Sequence, residues 1–440
     1  MYKRQVLRHL LRQSQASAQP LDAASKELVL SWMLSNEQHD AARAWLWQQY
    51  GRSLARPSWA ELSVALAQND TAAIEHLLAT QADALPPASR IDAAHALRDI
   101  RLAQSYAFAA QEKAPHDDEL HLRLATDMLA SANSVIARDT AFTRGVLKGR
   151  EKTFAVNLWN SPRLRLSAEL GVVHQTSQDA SAFPGVPGVE RQAGLAALLR
   201  HERGETELSV AQRRAVAQFN SLRLAHTERW AEGVESSFSL TRHERASETI
   251  PLALGGHRDR VSASLTYAFS KREYLRAESW WSDYHTQAGQ ALGTGRGFNY
   301  ELGHRLRIEY PDLSLRYTGA LQNYNPVALA DTMASRFTTD GSIPPGSFFL
   351  PQDFKLQGLN LGIGNSVRDS YSRALRPYAD VGRSYNTLSG NGYNWVAGAV
   401  GSVFGQDSLS IYLSRSRGAS GINIEVREFG LRYQYFFDRF

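Results

Sequence analysis

Apolar positions recur along this chain with two periods, and the change falls near residue 140. Before it they follow the 3.6-residue period of helices; after it every second residue is apolar, the period of strands. Ala24–Leu34 with His39–Gln48, Ser58–Gln68 with Thr71–Thr80, and Ala88–Asp99 with Leu102–Glu112 read as three helix pairs, and Asp117–Ala130 follows. Pro57, Asn69-Asp70, Pro86-Pro87 and Pro115 mark the breaks. Ser58, Asp70 and Asp117 or Asp118 stand where an N-cap is wanted. The expected division is an undefined segment 1–20, helical repeats over 21–137, and a strand-rich domain over 138–440.

The helix pairs look like a tetratricopeptide array, an α-solenoid whose unit is about 34 residues of helix–turn–helix. Ala103, Ala107, Ala110 and Pro115 sit at roughly the spacing of the repeat's second helix and closing proline, and Trp59 and Leu62 fit its opening. Such arrays stack and bind partners on a concave face.

In the second part, Leu164, Leu166, Ala168, Leu170 and Val172 alternate with Arg163, Arg165, Ser167, Glu169 and Gly171. Similar alternation runs through Arg260–Phe269, Phe298–Ile308, Leu313–Thr318 and Ser408–Ser414. Segments of about 9–13 residues suit tilted strands crossing a bilayer. The connections alternate too. Short ones lie near Asn160–Pro162, Glu202–Gly204, Trp230–Gly233, Ser270–Arg272, Tyr310–Asp312 and Phe404–Asp407. Longer ones lie near Thr176–Gly188, Arg245–Gly256, Gln287–Gly295, Asn325–Gln352 and Ser384–Gly390. Asn365–Ser372, Ala215–Phe219 and Arg417–Gly421 depart from that rule. Short turns at one end and long loops at the other are a property of outer-membrane barrels, not of soluble sandwiches. About fifteen strands are legible from Lys152 on. Helical domain and last strand on the same, periplasmic side require an even number, and Thr140–Lys148 can supply the sixteenth. The expected fold is therefore an α-solenoid followed by an antiparallel transmembrane β-barrel of about sixteen strands.

The closing strand carries Phe429, Leu431, Tyr433, Tyr435 and Phe437 on one parity, the expected lipid face. Ile422, Ile424 and Val426 are out of phase, so a bulge near Arg427–Glu428 is expected. With Phe440 these aromatic residues are the candidate assembly signal of the barrel.

Composition narrows the alternatives. The chain has 440 residues, a formal net charge of +5, 21% charged residues and no cysteine. It is no polycation for nucleic acid. Thiolate chemistry, cysteine-bound zinc and disulfides are excluded. No apolar run is long enough for a spanning helix. Met1–Pro20 lacks the apolar core of a signal peptide, which an outer-membrane protein needs, so a longer precursor is expected.

The polar parity places Arg163, Arg165, Glu169, Arg276, Glu278, Trp280, Glu301, Arg305, Arg307 and Arg316 toward the lumen. Their mixed signs favour no ion by charge alone. Trp280 and Trp281 fit an interfacial aromatic girdle or, with Trp280 inward, a platform for sugar rings. Asp283 and His285 sit two apart at an expected outer strand end, and His304 lies on the neighbouring strand. With no nucleophile or second carboxylate placed beside them, they read as loop anchors rather than a catalytic pair. Metal motifs and cofactor motifs are absent by spacing. The Gly293–Gly297 stretch reads as a flexible outer loop. Asn325–Gln352, with four prolines and Phe348-Phe349-Leu350, is expected to fold over or into the lumen as a plug or gate.

Helical repeats running into a barrel of this size resemble the PelB-like exopolysaccharide export porins of bacterial biofilm systems. The likeness rests on the order of parts and on three stretches: Pro57–Asp70, Gly401–Ser410 and Phe429–Phe437. It implies a non-enzymatic outer-membrane conduit for a partly deacetylated amino-sugar polymer, with the repeats in the periplasm. It also implies a periplasmic lipoprotein ring of the PelC type and a polymer-modifying enzyme of the PelA type as partners. Exporters of cellulose and poly-N-acetylglucosamine share the layout. So do translocators of surface lipoproteins, the alternative reading, usually with fourteen strands.

Overall fold

The computed structural model describes residues 21–437, leaving aside 37, 51–56, 69, 182, 202, 232, 329–333, 369–370 and 419–423. The chain forms two compact units, Met1–Asp127 and Met128–Phe440. The first holds helices α1 (Ala23–Ser35), α2 (His39–Tyr50), α3 (Ser58–Gln68), α4 (Thr71–Gln81), α5 (Pro87–Ala96), α6 (Ile100–Lys113) and most of α7 (Asp118–Ala130). Successive helices share cores. Leu30, Ala42, Leu46, Ala60 and Val64 join α1, α2 and α3, and Ile91, Ala94, Ala103, Ala107 and Leu120 join α5, α6 and α7. The fully buried alanines 103 and 107 let these helices approach closely. Asp70 caps α4 through the Ala73 N–H (3.0 Å) and Asp117 receives the Leu120 N–H (3.2 Å). Asp99 caps α6 through Leu102 (2.9 Å). Ser58 is instead the first residue of α3, and the Pro57 carbonyl accepts the Ala60 and Glu61 N–H groups.

The second unit is a closed antiparallel barrel of sixteen strands, each paired with its chain neighbours, with β1 closing on β16. The strands are β1 (Asn133–Arg144), β2 (Leu147–Ser161), β3 (Leu164–Ser177), β4 (Val189–Arg200), β5 (Gly204–Arg214), β6 (Gln218–Ala231), β7 (Val234–Glu244) and β8 (Gly256–Ala268). They continue as β9 (Glu273–Thr286), β10 (Ala291–Arg307), β11 (Leu313–Pro326), β12 (Phe354–Ile363), β13 (Arg376–Asn386), β14 (Gly390–Gly401), β15 (Asp407–Arg417) and β16 (Glu425–Phe437). Closure leaves no sheet edge, the condition for crossing lipid with strands. Asn133 pairs with Phe437, so the barrel begins and finishes at one end, here called proximal.

Strand β1 starts at Asn133, before the expected Thr140, and the first connection is residues 145–146. The early start is hidden because neither face of β1 is uniformly apolar. Val135, Ala137 and Asp139 point out, while Ser134, Ile136 and Arg138 point in. Outward Asp139 is offset by an ion pair with Arg150 of β2.

The expected bulge at Arg427–Glu428 is absent. β16 runs in unbroken register against β1 and β15. Ile424 lies just before the strand, crowding Gly145 together with Ile250, and Val426 faces the lumen. Both fall outside the lipid face, so no extra residue is needed. Phe429 and Tyr435 are exposed on the outward parity. Ile422 and Phe440 lie outside the described residues.

One packing rule recurs. Tyr274 stands opposite Gly303, Tyr300 opposite Gly319, Tyr412 opposite Gly430 and Trp280 opposite Gly297. Each ring fills the space a Cβ would take on its glycine. The Gly293–Gly297 stretch is accordingly part of β10, not a loop, because its glycines receive Tyr324 and Trp280 rings. Gly303→Val is expected to displace Tyr274 and destabilise the barrel by about 1–3 kcal/mol. A lower temperature for loss of the compact, fast-migrating band in unheated gels checks this; an unchanged temperature refutes it.

Candidate functional site

Side chains alternate between lipid and lumen along each strand, so the bore is lined by one parity of all sixteen. Arg165, Glu169, Arg276, Glu278, Trp280, Glu301, Arg305 and Arg316 share the inward parity. Arg163 is instead in the proximal β2–β3 turn, and Arg307 ends β10, where its guanidinium donates to the Tyr310 carbonyl.

The lumenal charges are largely matched across strands. Arg165 faces Glu207 (3.6 Å), Arg260 pairs with Glu278 (3.1 Å), and Arg316 bridges Glu301 (4.0 Å) and Asp380. Several arginines also lie over aromatic faces. Arg200 stacks on Trp159 (4.3 Å), Arg260 on Trp280 (4.6 Å) and Arg305 on Tyr274 (5.5 Å). Between these charges the wall is neutral and hydrogen-bonding. Ser237 meets Ser264 (2.6 Å), Ser239 meets Ser262 (2.8 Å), and Asn360 receives Asn394 (3.1 Å). A recess of about 290 Å³ opens among Arg223, Thr227, Ser239, Arg260, Ser264 and Glu278.

Apolar side chains bridge the distal end. Three connections, 178–188, 245–255 and 327–353, contribute Phe183, Leu252, Leu254, Ala334, Phe337, Phe349 and Leu350 to one apolar cluster. That cluster also contains Phe142 of β1, Val173 of β3, Trp280 and Tyr284 of β9, and Tyr324 of β11. Strands β1 and β9 are half a barrel apart. A continuous cluster containing both must cross the bore. The 245–255 connection reaches the far wall directly: Arg245 lies 3.8 Å from Glu151 of β2, and Ile250 crowds Gly145. Its short helix α8 (Ile250–Gly255) is capped by Thr249, which accepts the Leu252 N–H.

Burial holds this plug. Leu252, Leu254, Phe337 and Phe349 are essentially inaccessible, and each such side chain contributes about 1.5–3 kcal/mol. Phe183 stacks on Phe337 at 5.9 Å. Polar ties fix its edges. Gln287 accepts the Val216 and Ala217 N–H groups (3.0 and 2.9 Å) and donates to the Leu254 carbonyl (2.8 Å). Glu248 receives Tyr284 Oη (2.9 Å) and the Arg258 guanidinium. Asp353 anchors the long connection through Asn323 (2.9 Å) and the Tyr324 N–H (2.7 Å), bonds that hold its carboxyl below the usual range. Gln287→Ala leaves buried N–H and C=O groups unpaired, at about 1–3 kcal/mol each. Single-channel recordings are expected to show more frequent opening; wild-type behaviour counts against the role of Gln287.

Trp280 is therefore neither a girdle residue nor an open platform. It is inward, only 5% exposed, and packed within the plug. Trp281, on the other parity, is exposed on the outer surface. His304 faces outward beside Glu273 (3.0 Å). Asp283 and His285 lie at the distal rim opposite Asp259 and His257 of β8. Spacing did not reveal this grouping, because its members come from separate strands.

The model of the PelB C-terminal beta barrel domain family matches residues 129–436. The chain belongs to that family. Its second unit is thus a PelB-type barrel, an outer-membrane export porin by family. A solved bacterial polysaccharide outer membrane secretin is similar in fold, with a TM-score of 0.51 and 11% identity over 70% of this chain and 99% of that one. CdiB from Acinetobacter baumannii (TM-score 0.39, 10% identity, 69% of this chain and 60% of that one) superposes less well. So does OccK11 of Pseudomonas aeruginosa (0.38, 10%, 70% and 96%). No curated protein matches the sequence. The long connection expected to fold into the lumen supplies Ala334, Phe337, Phe349 and Leu350 of the plug. The share of 178–188 and 245–255 in it, and the paired charges of this PelB-type bore, have no signal in the sequence.

Proposed function

We propose that the chain exports a biofilm exopolysaccharide, a partly deacetylated amino-sugar polymer of the Pel kind, from periplasm to cell surface. Membership of the PelB barrel family carries the reading. The bore is compatible with it. Neutral hydroxyl and amide groups exchange hydrogen bonds with a sliding polyhydroxylated chain at little net cost, and charges already paired across strands do not trap a cationic one. The fold likeness to a polysaccharide secretin points the same way. In this reading the proximal end and the helices, taken as tetratricopeptide-like repeats, are periplasmic. The repeats recruit a PelA-like modifying enzyme beside a PelC-like lipoprotein ring, and the distal plug faces outside. The outer membrane has no ATP, so pressure from synthesis drives the polymer. The chain does no chemistry on it.

Deleting the chain is expected to abolish surface polymer while polymer accumulates in the periplasm. Loss of the polymer from both places would indicate a role in synthesis instead, and unchanged surface polymer would refute export.

A further inference from the structure

We propose that His243, His257 and Asp259, with His285 packed against His257, bind a divalent transition-metal ion, zinc by their donor set, which staples the two stems of the plug connection 245–255. His243 is the penultimate residue of β7, just before that connection, and His257 is the second residue of β8, just after it. One ligand atom from each of His243, His257 and Asp259 lies within 4.8 Å of the others. The rings of His243 and His257 are 4.4 Å apart, and His285 stacks on His257 at 5.6 Å. Ligand atoms around a tetrahedral zinc, each about 2.0–2.1 Å from it, stand about 3.3 Å apart. Small side-chain rotations close the difference.

Three further observations point to a cation. His243 Nδ1 lies 3.1 Å from the Asn220 carbonyl, which only accepts, so Nδ1 carries the proton and Nε2 offers its lone pair. His257 is 3% exposed, and its Nδ1 and that of His285 are buried without a hydrogen-bond partner. Asp259 stands directly opposite Asp283, and like charges in that position repel unless something positive lies between them. The local backbone is also held for the purpose. His243 has φ +53 at a break in the β7–β8 register, a strained conformation for a non-glycine residue. Its N–H donates to Asp259 Oδ1 at 2.7 Å, orienting that carboxylate. A nitrogen-rich set with one carboxylate suits zinc or copper rather than calcium or magnesium.

The metal site stands independently of what the barrel exports. Its test uses the full chain in detergent, freed of any histidine tag, in equilibrium dialysis against zinc with elemental analysis. Cobalt absorption spectra report the ligand set. About one zinc per chain is expected at the site. His257→Ala, or the conservative His243→Gln should the first not fold, is expected to lower affinity more than about tenfold. His226→Ala, in the partly exposed proximal group His201, His226 and Glu228, serves as the comparison and is expected to leave the distal signal in place. Zinc is also expected to slow protease cleavage within 245–255 in the wild type and not in the variants. No zinc uptake, equal uptake by the folded His243→Gln variant, loss only with His226→Ala, or uptake without protection would overturn the proposal.

Discussion

Removing residues 334–349, with a short glycine–serine bridge in their place, is expected to raise single-channel conductance in planar bilayers about fivefold or more. The reason is geometric. A barrel of sixteen strands leaves an aqueous channel once its interior is not filled by other parts of the chain. Here the filling is a cluster that joins opposite walls, and this segment supplies Ala334, Phe337 and Phe349 at its centre. Without them Phe183 loses its stacking partner and Leu252 and Leu254 lose apolar cover. The barrel wall itself is untouched, because the segment lies between β11 and β12 and contributes to neither. Retention of the compact band in unheated gels shows that the wall has formed. With that control in place, unchanged conductance would refute a closed distal end.

The second large effect concerns Glu190 and Arg213. They form an ion pair on β4 and β5, with side chains 2% and 3% exposed. Arg245 of the plug and Glu151 of β2 complete the local charge balance. Glu190→Ala strands a buried guanidinium, and breaking a pair of this kind costs about 3–5 kcal/mol. The thermal transition of the barrel is expected to fall accordingly. Replacing both members by apolar residues, as in Glu190→Leu with Arg213→Met, removes the stranded charge and is expected to restore most of the loss. A double variant as unstable as the single one would show that the pair is needed for itself. A single variant of wild-type stability would show that water reaches it.

Residues of one strand or helix are neighbours along the chain, and their pattern is visible there. The helices of the first unit, their proline breaks and the Asp70 and Asp117 caps follow from local periodicity and capping chemistry. The lipid face of β16 follows from alternation alone. The even strand number follows from helical domain and last strand sharing one side, the side of the short connections. Local signals mislead where a residue's role depends on its neighbours across the sheet. The true start of β1 is hidden in the sequence because Asp139 interrupts its outward face. The phase of Ile424 and Val426 suggests a bulge along the chain, yet one precedes the strand and the other points inward. The glycines of 293–297 read as a loop along the chain because a glycine's use as a seat for a facing ring depends on the partner strand.

By itself, then, the sequence determined the two periods, the two-part architecture, the strand parity and the position of the one long insertion. Tertiary structure alone decided the rest. It brought the 178–188, 245–255 and 327–353 connections together across the bore, paired Arg316 with Asp380 and Arg260 with Glu278, and gathered His243, His257 and His285 at one rim. The physical reason is register. Parity is repeated along every strand, but which residue stands opposite which is set only when the sheet pairs and closes.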